Sequence, residues 1–166
     1  MHLKTLIPSG TAVGTHVEAV KKEVLFSKYY EPIMNVKQSA VVATYPIEGK
    51  KEKLLVINVH GINFVDDLKY FEQFLGIEKK IRNHKGPIIF GGDLNTSGYT
   101  KQKFINLIVQ KHSLKEVEFN PDSRRKFMSY PLDHLYVRGI KIVSSKVIET
   151  PTASDHNALS AEMEIE

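Results

Sequence analysis

The order in which apolar runs and amphipathic stretches follow one another most constrains the fold of this 166-residue chain. Two stretches, residues 65–82 and 100–111, repeat apolar side chains every three or four residues, as amphipathic helices do. Six other apolar runs have the length and β-branched content of strands. They are residues 39–45, 53–59, 87–90, 132–137, 140–148 and 159–165. Strands, a helix, a strand, a helix and then further strands predict a mixed α/β fold built in layers.

Short turn sequences connect several of these runs. Gly49, Lys50 and Lys51 separate the first two runs, and Arg138 and Gly139 separate the run at 132–137 from the next, so both patterns predict β-hairpins. Residues 11–26 are predicted to supply a further strand or hairpin. Glycine and proline otherwise occur singly, without a repeat or a linker, so residues 1–166 are predicted to form a single domain.

The composition excludes several classes of protein. Hydrophobic residues make up 42% of the chain and charged residues 25%, which predicts an ordinary globular core. The absence of cysteine excludes a disulfide scaffold and a thiolate zinc site. No apolar run is long enough to span a bilayer, and the first residues lack a signal-peptide layout, so we expect a cytoplasmic protein. The formal net charge of +4 suits a nucleic acid partner and equally suits a lysine-rich surface.

Four polar clusters follow or interrupt the apolar runs. They are Asn58–His60 with Asn63 beyond it, Gly91–Asn95, Asp133–His134 and Ser154–Asn157. Each alone has a structural explanation, such as a turn at the glycine pair or a helix N-cap at the last cluster. Layered α/β folds, however, form their active crevices at strand ends. We therefore predict that these clusters converge on one crevice.

The same clusters carry a resemblance to a known family. The segments VINVH (56–60), IIFGGDLN (88–95), PLDHLYV (131–137) and ASDHNAL (153–159) resemble motifs of the endonuclease/exonuclease/phosphatase superfamily. That superfamily includes apurinic endonucleases, pancreatic-type deoxyribonucleases, neutral sphingomyelinases and inositol-polyphosphate phosphatases. The resemblance covers residues 39–166, and residues 8–38 less closely. It implies a layered α/β sandwich, in which two β-sheets pack face to face with outer helices.

The resemblance also implies a role for each residue of the motifs. His156 would contact the scissile phosphate, and Asp133 would fix the tautomer of His156. Asp93 would position or deprotonate the attacking water, Asn95 would donate to a phosphoryl oxygen, and His60 would contact phosphate or protonate the leaving group. Asp155, helped by Asp93, would face the metal ion. His134 is expected to be a packed group rather than a catalyst.

These roles predict a metal-dependent phosphodiesterase with nuclease-like chemistry. Such cleavage needs an activated water, donors for the phosphoryl oxygens and a Lewis acid. Oxygen ligands without thiolates favour Mg²⁺ or Mn²⁺. The substrate stays open between DNA, RNA, a phospholipid head group and a phosphoinositide. The basic run Arg124, Arg125 and Lys126 is either a grip on flanking phosphates or a solvated loop. The alternative function is a non-catalytic phosphate-binding or nucleic-acid-binding remnant of the same fold.

One departure from the family concerns its N-terminal segment. In the family, this segment carries an asparagine and a glutamate, and the glutamate is a principal magnesium ligand. Glu18, Glu23 and Glu31 of this chain do not match the sequence pattern around that glutamate. The chain is then an N-terminally truncated fragment, which we favour, or an inactive relative, or an enzyme with a substitute ligand such as Glu18 or Glu31. A missing N-terminal segment implies an incomplete first sheet and self-association through its exposed edges. Without a substitute ligand, the loss of the glutamate also implies weak activity of the chain alone.

Overall fold

The computed structural model describes residues 10–150, 152 and 154–166. Both predicted helices are present, as α1 (Asp67–Asn83) and α2 (Tyr99–Lys111). The strands are β1 (Lys21–Phe26), β2 (Ser39–Pro46), β3 (Lys53–His60), β4 (Ile88–Asp93), β5 (Lys115–Glu116), β6 (Lys126–Phe127), β7 (Tyr130–Pro131), β8 (Asp133–Arg138), β9 (Ile140–Ile148) and β10 (Ala158–Ile165). Each of the six apolar runs therefore overlaps a strand, and residues 11–26 supply β1.

Six of the strands form the main sheet, in the order β1, β2, β3, β4, β8 and β5. Strands β3 and β4 are parallel, and the other neighbours in this sheet are antiparallel. A parallel pair needs a crossover connection, and α1 provides it between β3 and β4. The side chain of Asp66 caps the start of α1 by accepting from the backbone N–H of Lys69 at 3.1 Å.

The main sheet is covered on both faces. On one face, α1 and α2 pack Tyr70, Phe74 and Ile105 against buried side chains of β3 and β4. On the other face, β9 and β10 form a two-stranded sheet, and its apolar side chains pack with those of β3, β4 and β8. Alternate residues of each central strand therefore enter different cores. The mixed α/β fold with packed sheets is confirmed.

The hairpin predicted at Arg138 and Gly139 is wrong. Strand β8 lies between β4 and β5 in the main sheet, whereas β9 pairs with β10. Tyr136 and Val137 already have partners in both neighbouring strands, so this end of β8 offers no free edge to β9. Gly139 has a φ of 63°, and the chain there leaves the main sheet to begin the second one.

Two further expectations concern surfaces. Within the described residues, no helix is long and apolar enough to cross a bilayer. The second sheet contains β9 and β10 among the strands of that same part of the chain, and the incomplete first sheet expected from the sequence stays a prediction. Self-association through its edges stays a prediction.

Candidate active site

Three neighbouring strands bring three polar residues side by side. In the register of the main sheet, His60 of β3 lies opposite Asp93 of β4, and Asp93 lies opposite Asp133 of β8. His60 and Asp93 stand at the C-terminal ends of parallel strands, as predicted. Asp133 instead begins its strand, because β8 runs antiparallel to β4. The crevice is therefore formed by one edge of the sheet rather than by strand C-termini alone.

A fourth residue, His156, comes from the segment that precedes β10. Its Nδ1 lies 2.7 Å from Asp133 Oδ2, which is the predicted carboxylate–imidazole hydrogen bond. Its Nε2 lies 4.0 Å from Asp93 Oδ2, and the same carboxylate oxygen is 3.6 Å from His60 Nε2. Both distances exceed a direct hydrogen bond. One oxygen of Asp93 therefore faces two imidazoles without being bonded to either.

The two carboxylates of this cluster have pKa values above that of an ordinary aspartate. Burial raises the pKa of Asp93 above its ordinary value, and the backbone N–H of Asn95 and the neighbouring histidines oppose this only in part. Burial likewise raises the pKa of Asp133, against the attraction of His156. Both carboxylates are therefore better proton acceptors than exposed aspartates. Perturbed carboxylates in a shared crevice are typical of functional sites.

The same groups could also hold a cation. Among the described residues, Asp93, Asp133 and His156 place one ligand atom each within 4.8 Å of one another. The two carboxylates of this group are the kind of donor that a hard divalent ion prefers, whereas the imidazole is not specific to such an ion. Asp155 is exposed and lies outside this group, so its predicted role as a direct ligand stays a prediction.

The two substitute ligands that the sequence suggested do not join the cluster either. Glu18 is exposed. Glu31 is buried, and its Oε2 accepts from the Gln38 amide at 3.0 Å and from the backbone N–H of Asn63 at 3.2 Å. Glu31 is therefore engaged in holding two segments together.

Asn95 and the glycine pair shape the loop that follows β4. The Asn95 amide donates to Gly61 O at 2.8 Å, and its backbone N–H donates to Asp93 Oδ1 at 2.9 Å. The same amide lies 3.4 Å from Asp93 Oδ2, so Asn95 contacts both carboxylate oxygens of Asp93, and its role as a donor to a phosphoryl oxygen stays a prediction. Gly92 has a φ of 125°, and a Cβ there would lie 2.2 Å from Val59 O. Only glycine fits at that position.

A buried hydrogen-bond network surrounds His134, the residue after Asp133. The sequence did not predict most of its bonds. His134 is 1% exposed, so its side chain is packed, as expected. Its Nε2 lies 2.8 Å from Thr96 Oγ1, and its Nδ1 lies 2.9 Å from Glu116 Oε1. Nothing in the two-residue strand β5 marks Glu116 as a partner of a histidine 18 residues away.

The basic run divides between two environments. The Arg124 guanidinium donates to Asp122 Oδ1 at 2.8 Å, to Glu116 Oε1 at 2.8 Å and to Asp133 O at 3.1 Å. Arg124 is therefore bonded within the protein, which matches neither of the two alternatives, a phosphate grip or a solvated loop, that the sequence left open for it. Lys126 lies 3.4 Å from Asp122, and Arg125 is exposed.

A cavity of about 430 Å³ opens beside Asp133, between the two sheets.

Comparisons with known proteins agree with this architecture. The model of the endonuclease/exonuclease/phosphatase family matches residues 5–156. A UPF0294 protein of Erwinia tasmaniensis is 35% identical over 136 residues, which are 81% of this chain and 50% of that protein. The chain thus spans about half the length of such relatives.

Solved structures share the fold at low identity. An endonuclease/exonuclease/phosphatase from Bacteroides vulgatus superimposes with a TM-score of 0.65 and 19% identity, covering 90% of this chain and 66% of that one. A mannosyl-6-phosphatase of Bacteroides thetaiotaomicron gives a TM-score of 0.62 and 16% identity, covering 89% and 67%.

Proposed function

We propose, since the chain belongs to the endonuclease/exonuclease/phosphatase family, that it carries the motif-bearing part of a metal-dependent phosphodiesterase. One observation supports this proposal above the others. The carboxylate of Asp93 lies between the imidazoles of His60 and His156, and Asp133 orients the second of these. This arrangement supplies a proton acceptor and two phosphate-facing groups within a few ångströms.

The dyad of Asp133 and His156 would bind the phosphate. Because the Asp133 carboxylate accepts from Nδ1, the Nε2 atom of His156 is turned toward Asp93 and the crevice. With Nδ1 bonded to the carboxylate, a proton on Nε2 would be donated to a phosphoryl oxygen as negative charge develops. His156 would thereby hold the phosphate in line for attack.

Asp93 would accept the proton of the attacking water. Its burial raises its pKa, which brings a carboxylate nearer to the range in which a general base works at neutral pH. Its Oδ1 accepts from the backbone N–H of Asn95 at 2.9 Å, and its Oδ2, which faces both imidazoles, has only a long contact of 3.4 Å with the Asn95 amide. His60 has a side chain 44% exposed, so a substrate can reach its imidazole, which would contact phosphate or protonate the leaving group.

The cofactor in this proposal is Mg²⁺ or Mn²⁺. Asp93 and Asp155 would be its ligands from this chain, and Asp133 is the neighbouring carboxylate within reach of the same ion. The absence of cysteine and the predominance of carboxylate oxygens fit a hard cation. When bound, the ion acts as a Lewis acid that stabilises charge developing on the phosphoryl oxygens.

The test is chelator-sensitive hydrolysis of an aryl phosphodiester, DNA and RNA by the purified chain, with Mg²⁺ or Mn²⁺. We expect His156→Ala to lower the rate of hydrolysis at least about a hundredfold. The substitution removes both the group that donates to the phosphate and the contact that holds the phosphate in line for attack. His16→Ala is the matched control, because His16 is exposed. Turnover that survives chelation or His156→Ala would contradict the proposal. Binding of inorganic phosphate at His156 without turnover, both in this chain and in a version that includes the family's N-terminal glutamate segment, would favour the non-catalytic alternative.

A further inference from the structure

Asn157 directly follows His156 and has no part in the proposed chemistry. Its side-chain amide joins two segments that are distant from each other in the chain. The amide nitrogen Nδ2 donates to Ser123 O at 2.8 Å, and Oδ1 accepts from the backbone N–H of Thr150 at 3.2 Å. Both polar atoms of the amide are therefore bonded to the backbone, which fixes the residue next to His156 on two sides.

The backbone of His156 is held by two hydroxyl groups. Thr150 Oγ1 donates to His156 O at 2.6 Å, and the backbone N–H of His156 donates to Ser154 Oγ at 3.0 Å. His156 lies between β9 and β10, outside any helix or strand. Side-chain bonds therefore take the place of the regular backbone bonds that hold residues inside a strand.

The other member of the dyad is bonded to the same part of the chain. Arg124, the residue after Ser123, donates from its guanidinium to Asp133 O at 3.1 Å. The backbone N–H of Leu132 donates to Arg125 O at 3.0 Å. These three consecutive residues before β6, which we call the clamp loop, thus hold the chain beside both partners of the dyad.

The clamp loop is itself anchored. The Arg124 guanidinium donates to Asp122 and to Glu116, at 2.8 Å each. It also lies over the ring of Phe119, 5.5 Å from the ring centre. The Arg124 side chain is 9% exposed, so water has little access to these bonds and competes with them weakly. An anchored loop can impose a fixed position on the groups that are bonded to it.

The geometry of the dyad depends on such a fixed position. His156 Nδ1 lies 2.7 Å from Asp133 Oδ2, and a carboxylate only accepts, so Nδ1 carries the shared proton. Asp133 belongs to strand β8, whereas His156 has only the bonds described above to hold it. A shift of about 1 Å would lengthen the contact beyond hydrogen-bonding distance. Reactive groups need supporting bonds that hold them more precisely than this.

We propose that Asn157 is a positioning residue, which connects His156 to the clamp loop and thereby fixes the Nδ1–H tautomer of the imidazole against Asp133. Thr150 shares this task through its hydroxyl group. Neither residue contacts substrate. The inference deepens the proposed function and rests on it for its catalytic meaning, but the tautomer of His156 can be measured without any turnover.

The test measures the tautomer of His156 by long-range proton–nitrogen NMR of the whole chain, at about pH 9, where an ordinary imidazole is neutral. The resonance that disappears in His156→Ala identifies the ring. We expect the Nδ1–H tautomer in wild type and a mixture of both tautomers in Asn157→Ala and Thr150→Val. Thr150→Ser keeps the hydroxyl and should restore the wild-type spectrum. Asn106→Ala is the matched control, because Asn106 is exposed in α2, where its side chain bonds Gln102.

Binding of inorganic phosphate at neutral pH gives a second measurement. We expect Asn157→Ala to weaken binding about tenfold, since a displaced imidazole loses about one hydrogen bond to the anion. Asn106→Ala should leave the affinity unchanged.

The tautomer decides the inference. If Asn157→Ala keeps the Nδ1–H tautomer, Asn157 is only a structural residue, whatever the melting temperature of the variant. Thr150→Val decides in the same way if Asn157→Ala does not fold. A wild-type ring with its proton on Nε2 would also overturn the inference, because the bond to Asp133 would then be absent. If wild type shows the expected tautomer but binds no phosphate at His156, the proposed function fails, and the tautomers of the variants still decide whether Asn157 positions the ring.

Discussion

Replacing Arg124 by methionine should destabilise the fold strongly, although this arginine lies in a surface loop. Its side chain is only 9% exposed, and its guanidinium bonds Asp122 twice, at 2.8 and 3.1 Å, and Glu116 once, at 2.8 Å. Methionine keeps the apolar stem but leaves both carboxylates without their partner. Breaking a pair of this kind costs about 3 to 5 kcal/mol when it is buried, and partial exposure of the carboxylates lowers the expected value to about 3 kcal/mol.

The pH dependence of this loss gives a sharper test. Hydrogen bonding to Arg124 lowers the pKa of Asp122 from 3.8 to about 2. A fall of this size corresponds to about 2 kcal/mol of folding stability. Because the folded pKa is depressed, the contribution is fully present above pH 4 and is lost as the pH falls through about 2. The difference between wild type and Arg124→Met should therefore narrow across that window.

Urea unfolding at neutral pH and through the acid range measures both effects. Arg125→Met is the matched control, because the neighbouring arginine is exposed and should change the free energy of unfolding by less than about 0.5 kcal/mol. The reasoning is refuted if the two variants are equally stable at neutral pH. It is also refuted if the deficit of Arg124→Met stays constant down to pH 2.

Two further predictions concern the backbone around the site. Gly92→Ala should cost about 2 to 5 kcal/mol, since φ at this position is positive and the new Cβ would meet Val59 O at 2.2 Å. Gly76→Ala in α1, where a Cβ meets nothing within 4 Å, should instead stabilise by up to about 1 kcal/mol, and equal effects in thermal unfolding would contradict this contrast. Tyr70→Phe should cost about 1 to 3 kcal/mol, because the buried hydroxyl donates to Leu94 O at 2.7 Å. A melting temperature equal to that of wild type would show that this bond does not hold the loop after β4.

The amino-acid sequence by itself determined both helices and the longer strands, although not the two-residue strands β5, β6 and β7, and it identified the residues of the candidate site. The strand predicted at residues 140–148 has those same bounds, and both predicted helices lie within two residues of α1 and α2. Side-chain periodicity and turn residues are local signals, and such signals are enough to predict where helices and longer strands lie. The motifs also named His60, Asp93, Asp133 and His156 before any contact among them was known.

The tertiary structure alone decided which partners these elements and side chains take. The pair Arg138 and Gly139 has the local signature of a hairpin, yet β8 had both edges filled, and β9 paired with β10 instead. The sequence left Arg124 open between a phosphate contact and a solvated loop, and in the fold it is bonded to Asp122 and Glu116. A strand edge or a charged side chain pairs with whichever group the complete fold brings close to it. The burial of that contact then sets its strength. Neither proximity nor burial is a property of neighbouring residues in the chain.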